Sequence, residues 1–111
     1  MQSDSGETWH DVAASEDIGD EEVLGVVAAG VPVAVFRLGE ELHALHDECS
    51  HGAARLSDGY VADGCIECPL HQGQFDVRTG EPRCAPVEKP VRVYPVRVHG
   101  GRIEILLAAG G

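Results

Sequence analysis

The sequence predicts an all-β domain, and three observations support that prediction. No stretch of the 111 residues shows a clear helix pattern. Short runs rich in valine are separated by turn signals such as Ala29-Gly30 and Asp63-Gly64. Pro82, Pro86 and Pro90 favour an extended chain and exclude a helix from the segment they occupy.

The N-terminal half is predicted to form four strands. Valine-rich or alternating apolar sequences favour strands because branched side chains pack well on a pleated surface. We expect a turn at Ser15-Glu16-Asp17 and tight turns at Ala29-Gly30 and Gly39-Glu40. The predicted strands are Trp9–Ala13, Val23–Ala29, Val31–Leu38 and Glu41–His46.

The C-terminal half is predicted to continue with short strands. Tyr60 leads into a hairpin that bends at Asp63-Gly64 and returns through Cys65-Ile66-Glu67. We expect an extended connector over residues 81–90 and a hairpin turn at His99–Arg102. The remaining predicted strands are Phe75–Val77, Val91–Tyr94, Val96–Val98 and Ile103–Leu107.

Length and charge limit the possible functions. Residues 1–111 make one domain, and such a length leaves no room for an additional catalytic domain. The net charge of −11 disfavours nucleic acid and anionic membranes as partners and is compatible with docking onto basic protein surfaces. The acidic first 22 residues are read as a solvated, partly frayed end, with a steering surface for a partner as the alternative.

No targeting segment is visible, and the expected compartment is the cytoplasm. The N-terminus lacks the basic region of a secretory signal. The longest uncharged apolar run, Val23–Phe36, has 14 residues and contains two glycines and a proline, so it is too short to span a bilayer.

Two motifs carry the candidate chemistry: Cys49-Ser50-His51 and Cys68-Pro69-Leu70-His71. Each offers one thiolate and one imidazole, and 16 residues separate His51 from Cys68. Such a donor set could hold zinc or an iron–sulfur cluster. Structural zinc sites more often have Cys-x(2–4)-Cys and His-x(3–5)-His pairs. Two mixed loops favour a 2Fe–2S centre in which the cysteines hold one iron and the histidines the other.

The other cysteines and histidines are weaker candidates. His43 and His46 lie near Cys49, but neither belongs to a motif, so we expect surface histidines on a strand. Cys65 and Cys84 are read as reduced packing residues. The pair Cys65-x-x-Cys68 has thioredoxin-type spacing, but no helix pattern follows it.

The sequence resembles Rieske ferredoxins, in particular the ferredoxin component of bacterial aromatic-ring-hydroxylating dioxygenase systems of the naphthalene dioxygenase type. The similarity is carried by residues 49–60, which read CSHGAARLSDGY, residues 66–77, which read IECPLHQGQFDV, and residues 84–87, which read CAPV. The resemblance implies a Rieske fold: a β-sandwich base with a small cluster-binding subdomain at about residues 45–77. It also implies one Rieske-type 2Fe–2S cluster held by Cys49, His51, Cys68 and His71.

The implied function is that of a one-electron carrier rather than an enzyme. The expected partners are an NAD(P)H-dependent flavin reductase, which supplies the electron, and a terminal oxygenase, which receives it. Two alternatives stay open. One is the Rieske-like small subunit of an assimilatory reductase such as nitrite reductase, and the other is a zinc-binding interaction module.

Departures from the high-potential respiratory Rieske proteins predict a low reduction potential. Those proteins have cysteines where this chain has Ala54 and Leu70, so no disulfide ties the two loops. They have Ser and Tyr where this chain has Gly73 and Phe75, so two hydroxyl donors to the cluster are missing.

Four acidic residues lie near the ligands in sequence. If they ring the exposed histidines, they would steer basic partner surfaces toward the cluster. An ordinary solvated charged face is the alternative. The four residues are Asp47, Glu48, Asp58 and Glu67.

Overall fold

A computed structural model describes residues 7–48, 54–69, 73–84 and 90–108, with the side chains of Cys84 and Ala108 left out. The predicted all-β class is confirmed: these residues form β-strands and two short 3₁₀ turns, at Ser15–Asp17 and Leu56–Asp58. The strands are β1 Glu7–Ala14, β2 Val23–Ala28, β3 Val31–Leu38, β4 Glu41–His46, β5 Tyr60–Ala62, β6 Cys65–Glu67, β7 Gln74–Asp76, β8 Pro82–Cys84, β9 Val93–Tyr94, β10 Val96–His99 and β11 Arg102–Ala108. Within this described part, no helix is long and apolar enough to cross a membrane.

The strands form three antiparallel sheets. The first has the order β1-β11-β10, the second β2-β3-β4-β9 and the third β5-β6-β7-β8. Strand β3 lies inside the second sheet, and its residues 33–36 are fully buried. Because side chains alternate across a strand, β3 contributes to a hydrophobic core on each of its two faces.

One core lies between the first and second sheets. Val33 and Val35 of β3 belong to the same buried cluster as Ile103 and Ile105 of β11. The other core lies between the second and third sheets, where Ala34 and Phe36 join the residues that surround Cys68. The second sheet therefore packs against the first sheet on one face and, on the other, against the third sheet, which carries the second ligand motif.

Tight turns account for the predicted hairpins. Ala29 and Gly30 have φ values of 50° and 82°, and Asp63 and Gly64 have values of 54° and 76°. Two successive residues with positive φ form the turn that matches the twist of antiparallel strands. The turns predicted from these dipeptides are confirmed, as is the hairpin turn before β11.

Several strand ends lie one or two residues from their predicted positions, and two segments differ further from the predictions. Residues 82–84, predicted to be part of an extended connector, form β8, and Pro82 pairs with Phe75. Proline is tolerated there because β8 is the edge strand of its sheet. Strand β9 begins at Val93 rather than Val91, because the Val91 N–H donates to the Gly80 carbonyl oxygen instead of to a sheet partner.

The third sheet extends beyond the predicted end of the cluster-binding subdomain at residue 77. Its last strand ends at Cys84, and Val91 belongs to the same buried cluster as Phe75. Treating residues 1–111 as one domain with such a subdomain stays a prediction.

Candidate metal centre

The first ligand motif lies in a loop whose base is closed by backbone pairing. Glu48 and Arg55 form an antiparallel bridge, and the Leu56 N–H donates to the Asp47 carbonyl oxygen at 2.7 Å. The Asp47 N–H donates to the Pro32 carbonyl oxygen at 3.0 Å, which ties this base to β3. Cys49 and His51 themselves lie outside the described residues, between the two sides of the base.

The second ligand motif begins at the end of β6. The Cys68 N–H donates to the Gly73 carbonyl oxygen at 2.7 Å, so the described residues on either side of the motif are in contact. Glu67 pairs with Gln74 immediately outside this contact. His71 lies within the segment and outside the described residues.

Cys68 is fully buried. Its side chain packs in a hydrophobic core with Leu56, which follows the first motif, and with Phe75, which follows the second. A buried, soft sulfur donor in apolar surroundings suits iron–sulfur ligation. The environment of Cys68 therefore fits a 2Fe–2S cluster.

The two loop bases are in direct contact. Gly59 follows the first motif, and a Cβ added to it would overlap with the carbonyl oxygen of Glu67, the residue before Cys68. Leu56 and Cys68 are also buried in one cluster. The fold thus brings the flanks of both motifs together, as two loops that share a cluster require.

His43 and His46 are engaged in other contacts on β4. Their side chains are 21% and 31% exposed, so both histidines are more buried than the predicted surface position implies. His43 Nε2 lies 3.0 Å from Glu41 Oε1. His46 Nδ1 lies 3.2 Å from the Tyr94 hydroxyl oxygen, and its Nε2 lies 3.3 Å from Glu48 Oε1. These partners occupy both ring nitrogens of His46.

The contacts of Glu41 show how charge is balanced beside this strand. The hydrogen bond with His43, and secondarily the charge and hydrogen bond of Arg78, hold the pKa of Glu41 below its usual range. Arg78 Nε lies 3.1 Å from Glu41 Oε1, so this contact connects the second sheet with the turn after β7. Within the described ranges, no group of three or more His, Cys, Asp or Glu side chains forms an alternative metal site.

The prediction that Asp47 belongs to an exposed acidic ring is wrong. Asp47 is fully buried, and its carboxylate accepts hydrogen bonds from the Ser57 N–H and Ser57 hydroxyl, each at 2.7 Å. The two hydrogen bonds from Ser57 satisfy both carboxylate oxygens, which explains how this side chain can be buried. Glu48 and Asp58 are exposed, whereas Glu67 is half-buried and accepts from the Gln74 side chain.

The remaining predicted cysteines differ in how far the structure describes them. Cys65 is half-buried in β6, and no helix follows Cys68 in the described chain, which argues against a thioredoxin-type pair. The side chain of Cys84 lies outside the described part. Sequence reasoning missed the role of Asp47 because its partner Ser57 lies ten residues away, beyond the first motif.

Comparison with known proteins agrees with this geometry. The chain is 57% identical over 97 residues to the anthranilate 1,2-dioxygenase ferredoxin subunit of Burkholderia cepacia, covering 87% of this chain and 90% of that protein. It is 45% identical over 102 residues to the naphthalene 1,2-dioxygenase system ferredoxin component of Pseudomonas aeruginosa, covering 92% and 98%.

A solved structure shows the same fold. In the complex of reduced oxygenase and oxidized ferredoxin of carbazole 1,9a-dioxygenase, one chain superposes with a TM-score of 0.83 at 38% identity, covering 87% of this chain and 91% of that one. The family model described as the Rieske [2Fe-2S] domain matches residues 8–95. The chain therefore belongs to the Rieske [2Fe-2S] domain family.

Proposed function

We propose that this protein is the ferredoxin of an aromatic-ring-hydroxylating dioxygenase system and carries single electrons to a terminal oxygenase. The observation that carries the proposal is the similarity to dioxygenase ferredoxins over nearly the whole chain, with 57% identity over 97 residues in one case. The chain covers 90% of that relative, so the likeness is to a complete ferredoxin subunit rather than to part of a larger oxygenase.

The proposed ligands are Cys49 and Cys68 for one iron and His51 and His71 for the other. When bound, the cluster accepts one electron and releases it again. Neutral imidazoles in place of two thiolates make reduction easier than in an all-cysteine cluster. Burial of Cys68 keeps one thiolate away from water, and the close approach of Gly59 to the Glu67 carbonyl oxygen places the two loop bases side by side.

The proposed electron donor is an NAD(P)H-dependent reductase. One-electron delivery suits this arrangement because a reductase with a flavin can accept the two electrons of a hydride from NAD(P)H and pass them on one at a time. Since NAD(P)H is a cytoplasmic metabolite, such a system would work in the cytoplasm. The oxygenase selects the aromatic substrate, and the ferredoxin needs no substrate pocket of its own.

Reconstitution tests the proposal. The purified protein should be coloured, and after reduction it should give the electron paramagnetic resonance signal of a Rieske cluster, whereas a zinc module would be colourless. With a flavin reductase and the terminal oxygenase of an anthranilate or naphthalene system, it should restore NADH-dependent substrate oxidation. The matched control omits only the ferredoxin.

The same preparation separates the proposal from the assimilatory reductase alternative. A nitrite reductase large subunit should not gain activity when this protein is added to it. If the protein supports nitrite reduction and fails with every aromatic oxygenase, the proposed partner is wrong even though the cluster is present.

A further inference from the structure

Asp47 and Ser57 form a buried clasp across the base of the first ligand loop. Asp47 lies two residues before Cys49, and Ser57 lies six residues after His51. The Ser57 N–H donates to Asp47 Oδ1 and the Ser57 hydroxyl to Oδ2, both at 2.7 Å. Asp47 is the one charged side chain that is fully buried among the described residues.

The backbone of Asp47 reinforces this clasp. Its carbonyl oxygen accepts from the Leu56 N–H at 2.7 Å, and its N–H donates to the Pro32 carbonyl oxygen at 3.0 Å. Asp47 therefore makes three hydrogen bonds to the returning side of the loop and one to β3. A buried carboxylate without these donors would be unfavourable, because its desolvation would not be compensated by hydrogen bonds. The contact between Asp47 and Ser57 is therefore strongly favoured in the folded protein.

The second strand leaves space for the clasp. A Cβ added to Gly25 of β2 would lie 2.6 Å from Ser57 Oγ and 3.1 Å from Asp47 Oδ2. Any other residue at this position would press directly on the two polar side chains. The absence of a side chain at Gly25 is thus matched to the position of Asp47 and Ser57.

We propose that Asp47 is a positioning residue for the cluster: through Ser57 it fixes the base of the loop that carries Cys49 and His51. The proposal rests on the ligand set given under the proposed function. Asp47 would act through the loop base rather than as a ligand, because both of its carboxylate oxygens already accept hydrogen bonds from Ser57. Its carboxylate holds the two sides of the loop base together, so loss of this contact should make iron release to a chelator faster.

The test compares Ser57→Ala with Ser15→Ala in the cluster-loaded protein. The Ser15 hydroxyl also makes a partly buried hydrogen bond, at 2.8 Å with Arg37 Nη2, but it lies in the turn after β1. Both variants lose one side-chain hydrogen bond. Only Ser57→Ala should release iron to a chelator faster, by about tenfold, which corresponds to about 1.4 kcal/mol. It should also change the electron paramagnetic resonance spectrum of the reduced protein.

Two further comparisons separate positioning from general stability. Gly25→Ala should accelerate iron release, whereas Gly19→Ala should not, because its added Cβ would meet only the carboxylate end of the Glu22 side chain. Asp47→Asn should release iron more slowly than Asp47→Ala, because the amide oxygen can still accept from the Ser57 N–H.

The proposal is overturned if Ser57→Ala and Ser15→Ala release iron at the same rate and have the same spectrum. A change confined to the unfolding temperature would likewise reduce the clasp to an ordinary stabilising contact. If the wild-type protein bound no 2Fe–2S cluster at all, the proposed function itself would fail. That outcome is distinguishable, because it appears before any variant is made.

Discussion

The Cα of Gly59 lies directly against the carbonyl oxygen of Glu67. The φ of Gly59 is −95°, a value open to any residue, so glycine is required here for space rather than for backbone freedom. Glu67 precedes Cys68 and pairs with Tyr60 across β5 and β6. A single close contact therefore joins the end of the first loop region to the start of the second.

Gly59→Ala should destabilise the protein and weaken its binding of the 2Fe–2S cluster. The added methyl group has no free volume beside the Glu67 backbone, and overpacking of this kind typically costs about 1–3 kcal/mol. Thermal unfolding and iron content would measure the effect. Gly19→Ala serves as the control, because there the new methyl group would meet a flexible side chain 3.0 Å away. Equal unfolding temperatures for the two variants would contradict this interpretation.

The fold was predictable wherever local sequence determines local geometry. Ala29-Gly30 and Asp63-Gly64 give positive φ at two successive positions, so both hairpins could be placed from the sequence. The ends of β3 and β4 agree with the predicted ends for the same reason, since short turns fix the register of the strands they join.

Long-range contacts were not predictable in the same way. Asp47 looks like a surface acid until Ser57 is placed against it, and the sequence alone gives no sign of that pairing. Pro82 disfavours a central strand but not an edge strand, and the edge position of β8 depends on the whole sheet. The four ligand candidates, in contrast, could be named from motif spacing, and their assignment stays a prediction.

Each of the four proposed ligands should be required for the cluster. Substituting Cys49, Cys68, His51 or His71 by alanine leaves one iron with an incomplete ligand set, so iron and sulfide content should fall and the visible absorption should bleach. His46→Ala is the matched control, because the ring of His46 already contacts Tyr94 and Glu48. A bleached His46→Ala protein beside a coloured His51→Ala protein would refute the ligand assignment.

Exposed acids beside the first loop should speed docking to a basic oxygenase surface. Glu48 and Asp58 are both exposed. The backbone of Arg55 contacts both residues: it forms a β-bridge with Glu48, and its carbonyl oxygen accepts from the Asp58 N–H. The double variant Glu48→Gln, Asp58→Asn should slow electron transfer about two- to tenfold at low salt.

Salt provides the internal check on this docking prediction. The difference between wild type and the double variant should shrink as ionic strength rises through about 0.15 M, where the screening length falls to about 8 Å. Glu16→Gln with Glu40→Gln removes the same charge from two exposed turns elsewhere and should leave the rate unchanged. Wild-type rates that do not vary with salt would rule out steering by these acids.

Asp11 and Arg102 should give stability a specific pH dependence. Arg102 Nη2 lies 2.8 Å from Asp11 Oδ1 and Nε lies 3.0 Å from Oδ2, and this hydrogen bonding holds the pKa of Asp11 below its usual range. A lowered folded pKa means that the contribution is present above the unfolded pKa of about 3.9 and is lost as pH falls through the folded pKa.

The measurement is thermal unfolding of wild type and Asp11→Asn across pH. The wild type should be the more stable protein at pH 7, and the difference should disappear below the folded pKa of Asp11. Adding Arg102→Gln to Asp11→Asn should cost little more, because the pair is already broken. A stability difference that stays constant down to pH 2 would show that the ion pair is not its source.

The reduction potential should lie near the low end of the Rieske range, which spans about −150 to +300 mV. Hydrogen bonds to cluster sulfur favour the reduced, more negative state. A net hydrogen bond of about 0.5–1.5 kcal/mol corresponds to roughly 20–65 mV for one electron. Phe75 and Gly73 both lie beside the ligand Cys68: Phe75 is fully buried in the same hydrophobic core, and the Gly73 carbonyl oxygen accepts from the Cys68 N–H. Neither residue has a hydroxyl group that could donate to cluster sulfur.

Phe75→Tyr combined with Gly73→Ser should therefore raise the potential, by up to about 130 mV if both new hydroxyls reach sulfur. A redox titration measures the shift, and a structure of the variant would establish the new hydrogen bonds. Phe36→Tyr is the control, because Phe36 is fully buried in the same hydrophobic core but lies on β3 rather than after the second motif. A wild-type potential well above zero would be too positive for the expected low-potential carrier and would contradict the argument from missing hydroxyls.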